Sequence, residues 1–151
     1  MKIMIDADGC PVVNICVKIA LKNNIKVLIV SDTSHIFNFE DENIFCITAD
    51  KGVDSSDFII LNKCEKEDIV ITQDYALASM CLLKNCYVIN QNGYIYTNKN
   101  IDELLLRRHI NKKLRKAGKK DFKIKKRTEK DNDNFVENLN KIIKKHFSNS
   151  N

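Results

Sequence analysis

The sequence predicts an α/β fold: a three-layer sandwich with a mainly parallel five-stranded sheet, followed by additional C-terminal helices. Two observations lead to this prediction. Short apolar runs of strand length alternate with stretches whose apolar residues recur at helical spacing, which is typical of parallel sheets covered by helices. The chain has 151 residues, 44% hydrophobic and 30% charged. That is enough for one soluble domain with a substantial core.

Strands and helices alternate along the first ninety residues. The predicted strands are residues 2–5, 27–30, 44–48, 69–72 and 87–90. The predicted helices between them are residues 12–23, 55–64 and 76–84. A turn at 90–93 then precedes Tyr94-Ile95-Tyr96, a candidate for a short edge strand. Because parallel strands joined by helices require crossover connections, this order predicts helices on both faces of the sheet.

The C-terminal third has a different composition. Residues 101–117 predict a basic amphipathic helix that ends at Gly118, with a buried stripe formed by Ile101, Leu104, Leu105, Ile110 and Leu114. Residues 119–132 have too few apolar side chains to pack by themselves and are predicted to be a mobile linker. A last helix has one apolar face, formed by Phe135, Leu139, Ile142 and Ile143. We therefore divide the chain into an α/β domain (1–117) and a basic linker with a helix that packs on the body or on a partner (118–151).

Charge is distributed unevenly along the chain. Residues 107–127 contain twelve Lys or Arg and one acid, which gives this segment a charge of +11. The net charge of the whole chain is +5, so the remainder carries −6. An acidic body with a basic segment is typical of proteins that hold a polyanion such as RNA. A solvated charged surface, or a general abundance of lysine, explains the same run without a partner.

Several protein classes are excluded by the sequence. No apolar run approaches the length of a membrane span and the N-terminus lacks a signal-peptide pattern, so we expect a cytoplasmic protein. The six cysteines form no C-x-x-C pair, and most lie in apolar runs. This predicts buried thiols rather than disulfides or a zinc site. Cys10, at a predicted helix start, is the exception, because that position can lower the pKa of a thiol; packing beneath the turn is the preferred role for it.

Acidic residues follow three of the predicted strands. Asp6 and Asp8 come after the first strand, Asp54 and Asp57 begin the helix after the third, and Asp74 follows the fourth. In open α/β sheets ligands bind at the carboxyl ends of the strands, so we expect these acids to converge there. Helix capping explains any one of them alone, but not all five.

Clustered carboxylates repel one another unless a cation offsets their charge. Oxygen ligands of this kind favour Mg²⁺ or Mn²⁺, which support phosphoryl chemistry. Thr72, beside Asp74, is a candidate for holding a metal-bound water or a phosphate.

Three motifs resemble the YaiI/YqxD family of uncharacterised bacterial proteins. They are Asp6-Ala-Asp8-Gly-Cys10-Pro11, Gly52-Val-Asp54-Ser-Ser-Asp57 and Asp68-Ile-Val-Ile-Thr72-Gln-Asp74-x-x-Leu77-Ala78. The resemblance continues more thinly through Asn90-x-x-Gly93-x-x-Tyr96, Arg108 to Gly118, and Asp131-x-x-x-Phe135, and so covers nearly the whole chain.

The resemblance implies a PIN-like fold, since the family is grouped with PIN-like domains, whose relatives are metal-dependent nucleases with acids on a parallel sheet. Members usually carry Pro where this chain has Ala76, and Pro-Arg where it has Gln91-Asn92. The missing arginine removes a candidate phosphate clamp from the loop after the fifth strand.

The leading hypothesis is a nuclease-like hydrolase that cleaves RNA with Mg²⁺ or Mn²⁺. Its catalytic residues are Asp6, Asp54, Asp57 and Asp74, and its metal ligands are these four and Asp8. RNA contacts are assigned to Thr72, Arg107, Arg108, Lys112 and Arg115. None of the three histidines is placed near an acidic motif, and none is given a catalytic role.

Two alternatives stay open. In a haloacid-dehalogenase-type phosphatase, Asp6 would be the nucleophile and Asp8 the acid/base. The order of the acidic motifs and the lack of a cap domain argue against it. In a non-catalytic RNA-binding module, the basic segment still binds RNA. The acids then form a structural cation site or are left over from an ancestral catalytic site.

Overall fold

The computed structural model describes residues 1–50, 55–118 and 126–149. These residues form six strands and five helices. The strands are β1 (Ile3–Asp6), β2 (Val27–Ser31), β3 (Ile44–Thr48), β4 (Ile69–Ile71), β5 (Tyr87–Ile89) and β6 (Ile95–Tyr96). The helices are α1 (Val13–Lys22), α2 (Ser55–Lys63), α3 (Tyr75–Leu83), α4 (Ile101–Lys116) and α5 (Glu129–Asn149). The predicted α/β fold with a mainly parallel sheet is confirmed.

The strands form one sheet in the order β3-β2-β1-β4-β5-β6. All neighbours are parallel except β6, which runs antiparallel to β5. The sheet therefore has six strands rather than the five predicted, because Ile95–Tyr96 does pair. Asn90 makes this possible: its side-chain oxygen accepts from the amides of Asn92 (2.8 Å) and Tyr94 (2.9 Å) and reverses the chain.

Alternate residues of the strands face two separate apolar cores. Ile3 and Ile5 of β1 face the core that contains the buried residues of α1 and α5. Met4, between them, faces the core of α2, α3 and the start of α4. Successive side chains of a strand point to opposite faces of the sheet. Because both faces are buried here, every residue of the strand can be apolar while neighbours belong to different cores. The molecule thus has helices on both sides of the sheet.

The last helix belongs to the first of these cores. Phe135, Leu139, Ile142 and Ile143 are buried, and α5 packs on α1. Gly93 permits a close approach at the start of this helix, because a Cβ there would lie 2.6 Å from the carbonyl of Asn134. Its φ of +84° is also a conformation that favours glycine. The Asn138 side-chain amide donates to the Gly93 carbonyl oxygen at 2.9 Å.

Two expectations for the C-terminal third need correction. Only the first turns of α4 pack: Ile101 is buried, whereas Ile110 and Leu114 are exposed, so the predicted stripe is not continuously buried. Residues 129–132, assigned to the linker, are the first turn of α5, where Asp131 accepts from the Thr128 amide and hydroxyl. Residues 119–125 lie outside the described residues, and the division at residue 118 stays a prediction.

Among the described helices, none combines the length and apolar character needed to cross a membrane.

We expect Phe135→Ala to lower the free energy of unfolding by about 3–5 kcal/mol, since it removes a fully buried aromatic ring. Urea unfolding measures this. Phe147→Ala, at a half-exposed position of the same helix, is the matched control and should cost about 1 kcal/mol or less. Equal costs for the two variants would contradict the docking of α5.

Candidate functional site

Polar residues follow three neighbouring strands at one edge of the sheet. Asp6 is the last residue of β1, Asp32 follows β2, and Thr72 follows β4. Because β1 lies between β2 and β4 and all three are parallel, their carboxyl ends lie side by side. This register places Asp6 beside Thr72, two residues before Asp74. We call this edge of the sheet the acidic edge.

Thr72 connects Asp6 to Asp74. Its buried hydroxyl donates to Asp6 Oδ2 at 2.7 Å and accepts from the Asp74 amide at 3.0 Å. Asp74 in turn caps α3, since its Oδ1 accepts from the amides of Ala76 (2.7 Å) and Leu77 (3.0 Å). Thr72, predicted to contact substrate, thus orients two of the predicted acids, and the second oxygen of Asp74 is left for other partners.

The charge on Asp6 is poorly compensated. Burial raises the pKa of Asp6, the Thr72 hydroxyl opposes that shift, and the nearby carboxylates of Asp8 and Asp74 raise it further. Within the described residues, Asp6 has no ion pair with a lysine, arginine or histidine. These three acids therefore interact electrostatically, which is the condition under which a cation is stabilising.

Asp8 lies in a second group that the sequence analysis missed. Its Oδ1 accepts from the Asp32 amide at 2.9 Å and lies 3.8 Å from His35 Nδ1. One ligand atom from each of Asp8, Asp32 and His35 lies within 4.8 Å of the others. A signal for Asp32 was present, because it directly follows β2 just as Asp6 ends β1. His35 carried no signal, since only the folding of the loop after Ser31 brings it to Asp8.

Two predicted site residues, Asp54 and Asp57, lie close together in the sequence around the first residue of α2. Asp57 lies in the first turn of α2, half-buried, next to Ser56, whose hydroxyl is 3.4 Å from Asp8 Oδ2. The start of α2 therefore reaches the acidic edge. Asp54 lies outside the described residues, so its predicted role stays a prediction.

The inner face of α4 brings cations to the acidic edge. Arg108 Nη1 lies 3.2 Å from Asp74 Oδ2, and both side chains are partly exposed. Arg107 instead pairs with Glu103 on its own helix at 2.8 Å. A cleft of about 310 Å³ is lined by Gln73, Tyr75, Leu104, Arg107, Arg108, Asn111 and Arg115. Lys112 lines the adjoining cleft of about 430 Å³ with Arg108 and Arg115.

Arg127 brings a guanidinium to the loop where this chain lacks the arginine expected from the family resemblance. Its Nη1 donates to the Gln91 carbonyl oxygen at 2.6 Å and to the Asn92 side chain. Its Nη2 donates to Asn132 at the start of α5. The cation therefore comes from another part of the chain, an arrangement that the loop sequence alone does not reveal.

The surroundings of Cys10 raise the pKa of its thiol rather than lowering it. Burial raises the pKa of Cys10, which outweighs the opposing effects of the Val12 amide and the Arg127 guanidinium. Cys10 packs against the core of α1 and α5. All six cysteines are free thiols in the structure. Cys16, Cys64, Cys81 and Cys86 are buried as predicted, whereas Cys46, on β3, is exposed.

Comparison with known proteins identifies the chain. Residues 4–145 match the uncharacterised YaiI/YqxD family. The chain belongs to this family. Similar YaiI/YqxD relatives, each called a UPF0178 protein, occur in Alkaliphilus oremlandii (50% identical, 89% of this chain and 86% of the relative) and Natranaerobius thermophilus (47%, 95% and 96%). A relative from Clostridium novyi is 39% identical over the full length of both chains. No solved structure gives a significant match to this YaiI/YqxD chain.

We expect Asp6→Asn to stabilise the protein at neutral pH, and increasingly so as the pH rises above about 4. The unfolded chain loses the Asp6 proton first because the folded-state pKa is raised, so wild-type stability falls with rising pH. Asparagine removes this penalty and can still accept from Thr72. Urea unfolding between pH 3.5 and 7 measures the difference. Glu42→Gln, at an exposed position before β3, controls for removal of one negative charge. A difference between Asp6→Asn and wild type that is independent of pH would contradict the raised pKa.

Proposed function

We propose that this protein is a Mg²⁺- or Mn²⁺-dependent hydrolase that cleaves phosphodiester bonds in RNA. The observation that carries the proposal is the convergence of Asp6, Asp8 and Asp74 at the carboxyl ends of parallel strands, with Arg108 beside them. Carboxylates at a strand-end crevice next to a cationic surface suit a phosphodiester and a divalent cation together.

The chemistry of the donor set fits a hard divalent cation. Asp6 offers a carboxylate held by the Thr72 hydroxyl, and Asp74 offers one held by the first amides of α3. Asp8 offers two more oxygens at the turn that follows β1. Asp57 and Asp54 are candidates to complete the set. The group at Asp8, Asp32 and His35 adds a nitrogen ligand, which Mn²⁺ accepts more readily than Mg²⁺ does. When bound, the cation supplies charge stabilisation and a more acidic water.

The protein's own residues would position the substrate. Arg108 is a partly exposed cation whose ion pair with Asp74 is worth roughly 0–1 kcal/mol, so a phosphate can displace Asp74 as its partner. Arg115 and Lys112 extend the positive charge along α4 beyond the acids. This arrangement suits a single strand whose backbone runs along α4 while one phosphodiester lies at Asp6.

We expect purified protein with Mn²⁺ to degrade single-stranded RNA, and Asp6→Asn and Asp74→Asn each to reduce the rate at least about a hundredfold. Asparagine retains the hydrogen bonds to Thr72 and α3, so both variants should stay folded. A gel assay with labelled RNA measures cleavage, and circular dichroism checks folding.

Glu42→Gln is the matched control for this assay and should cleave at the wild-type rate. Binding of RNA without cleavage at any Mn²⁺ concentration would favour the binding module. Release of phosphate from small phosphoesters, with RNA left intact, would favour the phosphatase.

RNA binding should weaken steeply with salt if the four cations of α4 predicted to contact RNA, Arg107, Arg108, Lys112 and Arg115, meet phosphates. For a single strand, the logarithm of the association constant should fall with the logarithm of salt concentration at a slope of about −3, and Arg115→Ala should reduce that slope by about 0.7. Fluorescence anisotropy measures both. Lys144→Ala, an exposed cation on α5, is the control. Equal slopes for wild type and Arg115→Ala would exclude that contact.

A further inference from the structure

Helix α4 has an apolar face that points away from the acidic edge. Leu106, Ile110 and Leu114 are spaced four residues apart and therefore share one side of the helix. They are 59%, 47% and 37% exposed. Arg108, which reaches Asp74, lies about 200° around the helix from Leu106. The helix thus presents cations to the candidate site and its apolar stripe to the outside, the reverse of an ordinary surface helix.

We propose that this outer stripe, Leu106-Ile110-Leu114, is the interface through which two copies of this chain associate, with their α4 helices antiparallel. Three exposed branched aliphatic side chains in one row are typical of an interaction surface rather than of scattered exposure. Antiparallel packing about Ile110 sets Leu106 of one copy against Leu114 of the other, and Ile110 against itself. The interface is then isologous, as two-fold symmetry requires.

The charges along α4 favour a second copy over other occupants. The first turn carries Asp102 and Glu103, and the last turn carries Lys113, Arg115 and Lys116. An antiparallel pair places the acidic first turn of each helix beside the basic last turn of the other, whereas a parallel pair sets like charges together. An acidic protein segment or an anionic lipid surface would complement the basic last turn only, whereas a second antiparallel copy complements the acidic first turn as well.

Three of the six cations of α4 do not oppose this pairing, because they lie on the other side of the helix. Of the remaining three, Arg107 pairs with Glu103 on its own helix, and Lys113 and Lys116 belong to the last turn that meets the acidic first turn of the other copy. Arg108, Lys112 and Arg115 line the clefts beside the acidic edge rather than the stripe. In the dimer these two cationic faces stay outside, one on each copy. The interface is independent of the proposed RNA cleavage and does not require it.

Sedimentation velocity over about 1–200 µM tests the proposal. An interface of this size falls at the small end, below about 1,200 Å², so we expect a dissociation constant in roughly the micromolar range. Ile110→Glu sets two carboxylates against each other at the symmetry axis and should weaken association at least about tenfold. Ile36→Glu, the same change at a position 82% exposed between β2 and β3, should leave association unchanged. A wild-type monomer at all concentrations, or an Ile110→Glu dimer, would overturn the proposal.

Disulfide crosslinking tests the orientation, in a Cys46→Ser background that removes the exposed thiol. Ile110→Cys should crosslink to itself, and Leu106→Cys should crosslink to Leu114→Cys but not to itself. Self-crosslinking of Leu106→Cys would indicate a parallel pair and overturn the proposed arrangement. Binding of the wild type, but not of Ile110→Glu, to anionic vesicles without any dimer in solution would assign the stripe to a membrane surface instead.

Discussion

Parallel pairing of β1 between β2 and β4 is the constraint on which the rest of the structure depends. It puts the carboxyl ends of three strands at one edge of the sheet, so that Asp6, Asp32 and Thr72, far apart in sequence, lie on neighbouring strand ends. The apolar residues of β1 are buried on both faces, which fixes the register, since a slip of one residue would exchange the two cores. The position of Asp6 is thus determined by the burial of Ile3, Met4 and Ile5.

The acidic edge is held by hydrogen bonds rather than by neutralising cations. Thr72 orients Asp6 and the Asp74 amide, and the Asp32 amide orients Asp8. Asp74 is the exception, because Arg108 pairs with its free oxygen. The surface position of this pair makes it weak and exchangeable. Mutual repulsion and burial leave Asp6 with a raised pKa, an electrostatic cost that is common at sites that bind a cation or a charged substrate.

Helix α4 separates two kinds of surface. Its first turns are anchored by Ile101 in the core of α2 and α3. Beyond Leu105 its side chains are mostly exposed, with cations toward the acidic edge and aliphatic residues on the opposite side. The predicted buried stripe joined Leu104 and Leu105 to Ile110 and Leu114, although these two pairs lie well apart around the helix, and it left Leu106 out. The spacing of apolar residues along α4 does not indicate which of its two apolar faces packs against the core of α2 and α3.

The sequence by itself determined the order and type of nearly every element and the acids that end or follow β1 and β4, because strand burial and helical periodicity are local properties of the chain. The sequence offered β6 as a candidate edge strand, and the tertiary structure showed that it pairs. The tertiary structure alone decided three features: the approach of His35 to Asp8, the position of Arg127 at the loop after β5, and the outward orientation of the α4 stripe. Each depends on how distant segments pack, and packing contacts between them leave no periodic signal in the sequence.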